Sequence, residues 1–129
     1  MVTPDTNVLV RLLTEDDEAQ YQQAYELFQN ERIWILSTVL LETEWVLRYA
    51  YEFQPEQIVT AVRLLAGLPN VELDQPLTIA EALNWHEQGL DFADALHVAK
   101  AKDSDRFVTF DKKLVAKAEN LTSLPVDLL

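Results

Sequence analysis

Apolar residues fall at helical spacing along most of the chain, and the few apolar runs that break this spacing are too short to be helices. The pattern predicts helices over residues 6 to about 13, 18–30, 38 to about 51, 55–66, 77 to about 87, 92–102 and 112–119. Pro55 suits a first helical position and Gly67 stands just past the end of the same segment. Between the helices lie short strand-like runs at residues 2–3, 33–36, 71–73, 107–110 and around 126. Strands separated by long helical stretches imply parallel pairing, so an α/β fold is expected, with a short central parallel sheet of about five strands flanked by helices on both faces.

Only two Gly and five Pro punctuate the 129 residues, and no repeat or linker interrupts them, so one domain over residues 1–129 is expected. Hydrophobic residues make up 49% of the chain, enough for a core, which excludes a disordered acidic chain. Without cysteine, neither a disulfide nor a thiolate metal site can form. The opening MVTPDTN lacks a basic region followed by an apolar run, and no later segment matches a membrane span, so a cytoplasmic protein without membrane contact is expected.

A net charge of −12 argues against non-specific nucleic-acid binding, which relies on Lys and Arg to neutralise phosphates. It leaves room for a nucleic-acid enzyme whose clustered acids bind cations, because bound ions reverse the local field. Phosphate contacts would then fall to a few basic residues: Arg11, Arg48, Lys112 and Lys113.

Four acids stand where strands give way to helices or near helix starts: Asp5, Glu42, Asp94 and Asp111. Ligands in open parallel sheets gather at the carboxyl ends of the strands, so these four are candidate ligands for a hard cation. The three aspartates among them also have a structural explanation, as does the nearby Asp91. Asp5, Asp91 and Asp111 are placed to cap helices, and Asp94 to complement a helix dipole. Glu44 has Arg48 at i+4, the spacing of a surface ion pair, whereas Glu42 faces Val39, Trp45, Val46 and Tyr49 with no base at helical reach. His97 reads as a packed histidine, His86 as a charge suited to its helix end, and Phe28, Trp45, Phe107 and Phe110 as core. Acids gathered without metal should leave at least one carboxyl with a raised pKa.

The segments DTNVLVRLL, LLETEWVLR, GLDFADALHVA and VTFDKKL together resemble PIN-domain proteins, and specifically the VapC-type toxin ribonucleases of toxin–antitoxin pairs, in family order over nearly the whole length. The resemblance implies that Asp5, Glu42, Asp94 and Asp111 form an acidic quartet, with Asp91 as an auxiliary acid. Thr6 and Asn7 would support Asp5, and Thr109 would support Asp111. It implies Mg²⁺ or Mn²⁺, RNA cleavage, a homodimer and a cognate antitoxin. Pro4 departs from the family pattern, which usually has an apolar residue before the first acid; lacking an N–H, it is expected at the strand's end. Two further readings are a receiver-like phosphoacceptor domain using Asp74 with Lys112, and a PIN-like binding module without turnover.

Overall fold

The computed structural model describes residues 1–129 as seven helices and four short strands, which divide into two compact units, residues 1–76 and 77–129. No helix is long and apolar enough to cross a membrane.

The first unit contains α1 (Thr6–Thr14), α2 (Glu18–Asn30), β1 (Ile33–Ile35), α3 (Ser37–Ala50), α4 (Pro55–Ala66) and β2 (Val71–Leu73). β1 and β2 pair in parallel, Ile33 opposite Val71 and Ile35 opposite Leu73. The pleat buries Ile33 and Ile35 and turns Trp34 outward. The expected first strand is reduced to one parallel bridge between Val2 and Ile33, in which the Val2 N–H donates to the Arg32 carbonyl at 2.7 Å. Pro4, buried two residues later, has no N–H with which to continue the ladder.

α1 packs against both α2 and α3. Asp17 starts α2 by accepting from the Gln20 N–H at 3.0 Å. α3 has no acceptor at its own N-cap residue, Leu36, and is capped instead across the fold: the Asp74 carboxylate accepts from the Ser37 N–H and hydroxyl, while the Asp74 N–H donates to the Ile35 carbonyl. At the head of α4 the Gln57 side chain accepts from the Gln54 N–H at 2.7 Å.

The second unit contains α5 (Pro76–Glu87) from its second residue onward, α6 (Phe92–Lys100), β3 (Phe107–Thr109), α7 (Lys112–Ala118) and β4 (Val126–Leu128). β3 and β4 pair in parallel, Phe107 opposite Val126 and Thr109 opposite Leu128. α6 buries Phe92, Ala95, Leu96, Val98 and Ala99, leaving one polar stripe at three-residue intervals, Asp91, Asp94, His97 and Lys100. Gly89 turns the chain between α5 and α6 at φ 109, a conformation that side-chain-bearing residues avoid. His86 stands in the last turn of α5, as expected, but is buried rather than free to present a charge there: its Nδ1 lies 2.7 Å from the Leu90 carbonyl and its ring meets the edge of Phe92.

The expected α/β alternation and parallel pairing are present, but the expected sheet of about five strands is not. Two parallel pairs and one bridge take its place. Each strand has only three residues, too few to carry a long ladder.

The Glu44–Arg48 pair exists, with Nε donating at 2.8 Å, but it is no surface pair. Glu44 is 2% exposed because it shares the core stripe of α3 with Leu40 and Leu47. Taking away the base of such a pair strands a buried charge, whereas an exposed pair contributes little. Arg48→Met should therefore lower the unfolding free energy by about 2–4 kcal/mol in urea denaturation. Arg32→Met, which breaks the exposed Arg32–Glu72 pair, should change it by less than about 1 kcal/mol.

Candidate metal centre

Helix starts hold most of the candidate acids, because the first-turn amides of a helix have no intrahelical acceptor and a carboxylate supplies one. Asp5 caps α1, its Oδ1 accepting from the Val8 N–H at 3.2 Å. Asp91 caps α6 through the Asp94 N–H at 3.3 Å. Asp111 caps α7, its Oδ1 accepting from Lys113 at 2.9 Å and Leu114 at 3.3 Å. In Asp5 and Asp111 the cap uses Oδ1 and leaves Oδ2 for another partner.

Of the candidate acids in the second unit, Asp94 is the one whose own carboxylate is not spent on a cap. It is half-buried in the first turn of α6. Burial first, then the neighbouring charges of Asp91 and Asp111, pushes its carboxyl above the ordinary value, while His97 and Lys117 pull the other way. Asp94 thus feels two neighbouring aspartates, but burial is the larger cause of its raised carboxyl. Thr109 supports Asp111, its hydroxyl accepting from the Asp111 N–H at 3.0 Å. His97 is exposed rather than packed.

In the first unit, Asp5 and Glu42 belong to α1 and α3, which pack together, and both acids are exposed. Glu42 does not face an apolar interior. Its helix face carries Trp45 and Tyr49, both more than half exposed, their rings 5.0 Å apart. Thr6 is half-buried, and Asn7 opens onto a cleft of about 350 Å³ that Val8, Arg11 and Leu27 also line. In neither unit do three carboxylate or histidine side chains converge closely enough to hold an ion as they stand. The donor chemistry nonetheless suits a hard cation: carboxylate oxygens with capacity to spare at Asp5 and Asp111, and at Asp94 a carboxylate disfavoured by burial and by neighbouring like charges, which a cation would relieve.

The basic residues divide. Arg11 is engaged by Asp16 at 2.9 Å and Gln20 at 2.6 Å, and the Tyr51 hydroxyl donates to the same Asp16 carboxylate. That hydroxyl, followed by Thr14 and Arg11, holds Asp16 below its ordinary pKa, and Asp16 raises that of Arg11. Arg48 serves Glu44 and lies over the Tyr49 ring, 4.7 Å from its centroid. Lys112 and Lys113 are exposed. Of the aromatics expected in the core, Phe28 is buried and Phe107 half-buried, but Trp45 and Phe110 are exposed. The signals were local: Trp45 shares a helix face with the exposed Glu42, and Phe110 follows the exposed Val108 at a two-residue interval.

A family model described as "PIN domain" matches residues 2–120. No curated protein matches the chain. It is similar to a chain in a crystal structure of VapBC2 from Rickettsia felis bound to a DNA fragment from their promoter, at 18% identity over 98% of this chain and 96% of that one, with a TM-score of 0.38.

Because the folded-state pKa of Asp94 lies above its unfolded value, the folded chain binds more protons between the two, and stability falls as pH rises through that window. In metal-free buffer Asp94→Asn should raise the thermal midpoint at pH 7. The difference should fade as pH drops below 3.8, the ordinary value for the group. Thermal melts across pH check this; an Asn variant less stable than wild type at neutral pH contradicts the repulsion.

Proposed function

The chain belongs to the PIN-domain family, and from that premise we propose that it is a metal-dependent endoribonuclease, the VapC-type toxin of a toxin–antitoxin pair. Asp94 is the observation that carries the reading: a half-buried carboxyl beside Asp91 and Asp111, raised by burial and like charge, and so a group that a divalent cation would stabilise as the anion. Mg²⁺ or Mn²⁺ held by these acids would supply positive charge to activate water and to stabilise the leaving oxygen of a phosphodiester.

Asp5 and Asp94 are the central ligands in this reading, with Glu42 and Asp111 completing the set directly or through water. Capping fixes Asp5 and Asp111 to their helices, so their second oxygens are held in place before any ion arrives. Thr109 holds the backbone of Asp111; Thr6 and Asn7 stand beside Asp5; Asp91 is a cap and an auxiliary acid. Arg11 and Arg48 are committed to Asp16 and Glu44, which leaves Lys112 and Lys113 as the phosphate contacts. The protein acts in the cytoplasm as a homodimer restrained by a cognate antitoxin. The Asp74 carboxylate caps α3, which removes the support for a phosphoacceptor there.

Purified, partner-free protein should cleave a mixed RNA pool with Mg²⁺ or Mn²⁺ and stop when EDTA is added. Asp5→Ala and Asp94→Ala should each lose more activity than the roughly 10- to 100-fold typical of residues that only support a ligand. No cleavage of any substrate would mark a binding module, and undiminished cleavage by both variants would mark a contaminant.

A further inference from the structure

β3 ends one residue before Phe110, and its alternation continues past the strand: Phe107 and Thr109 are half-buried, Val108 and Phe110 exposed. Phe110 keeps 78% of its surface open, unusual for a ring that a short strand should bury. The backbone next to it is held firmly, since the Asp111 N–H donates to Thr109 and the Asp111 carboxylate ties down the first turn of α7. An exposed aromatic on a fixed stem, directly before a candidate catalytic acid, is placed to meet a substrate.

Charge indicates which substrate. Six of the ten basic residues fall within residues 100–117: Lys100, Lys102, Arg106, Lys112, Lys113 and Lys117. Arg11, Arg32 and Arg48 in the first unit each hold a carboxylate, whereas the ammonium groups of Lys112 and Lys113 are exposed and take no part in those pairs. The face that Val108 and Phe110 share also carries Asp127, opposite Val108 and paired with Arg106 at 3.5 Å, so it is a mixed strip of ring and charge rather than a continuous apolar surface. A strand of alternating phosphates and planar bases matches such a strip better than an apolar helix does.

We propose that Phe110 is a stacking platform for an unpaired base of single-stranded RNA, with Lys112 and Lys113 holding the adjoining phosphates beside Asp111. The proposal rests on the ribonuclease reading and names the side chain of this chain that would meet a base of its substrate. Base stacking on one aromatic accounts for roughly 5- to 150-fold in affinity, and each phosphate contact on a single strand adds about 0.7 to the slope of log affinity against log salt.

The test is fluorescence anisotropy with a labelled, mixed-sequence 2′-O-methyl RNA oligomer in Mg²⁺, beside steady-state cleavage of unmodified RNA. Phe110→Ala and Phe110→Leu should both weaken binding and raise KM by at least about fivefold at unchanged kcat, while Phe110→Trp retains affinity. Lys112→Ala and Lys113→Ala should each flatten the salt dependence, and Leu77→Ala, truncating another exposed apolar residue, should change nothing. If Phe110→Leu binds RNA as wild type does, stacking is overturned. So it is if the Phe110 variants lose only the antitoxin, in which case the ring is a protein contact. Wild type that cleaves RNA with Phe110 variants unchanged sinks this proposal alone, while wild type that neither binds nor cleaves RNA sinks the ribonuclease reading and this proposal with it.

Discussion

Unmet amides at helix starts are the constraint on which this chain's structure depends. A helix leaves its first amides without acceptors, and here side-chain carboxylates supply them again and again. Asp5, Asp17, Asp91 and Asp111 do so locally, and Asp74 does so for α3 from the end of β2. Fixing a carboxylate to a strand-to-helix junction also fixes it where α/β folds present their ligands. Capping and cation binding are compatible at Asp5 and Asp111, because the cap uses one oxygen of each. Asp94 differs in kind: its carboxyl serves no cap, and it bears the repulsion of its neighbours.

Helices with strong boundary chemistry were legible in the sequence. α2 and α4 run over the residues expected, because Asp17 starts one while Pro55 and Gly67 bracket the other. The sheet was less legible. Alternation of strands and helices foretold parallel pairing, but the number of strands that join one ladder depends on tertiary approach, and three-residue strands carry almost no pattern of their own. Asp74 looked like a strand-end acid open to chemistry, since its partner Ser37 is distant in sequence.

Burial was misjudged where residue type was taken for environment. Trp45 and Tyr49 made the face of Glu42 look apolar and enclosed, yet both rings are exposed, while Glu44, judged an ordinary surface acid, is buried under Arg48. Large aromatics are often only partly covered, and helical phase decides more than size. The basic residues divide in the same way: Arg11 and Arg48 serve the fold, Lys117 donates to the Gly89 carbonyl, and Lys112 and Lys113 are exposed. A chain with a net charge of −12 can thus hold a few well-placed cations next to its acids.

The central claim is that these junction acids bind a divalent cation. Paramagnetic broadening by Mn²⁺ in the amide spectrum of the protein tests it most directly. Broadening of Asp5, Asp94 and Asp111 at Mn²⁺ levels that leave Asp17, Asp103 and Asp105 sharp is the predicted result. Broadening spread evenly over all exposed acids, or sparing Asp94, would contradict it.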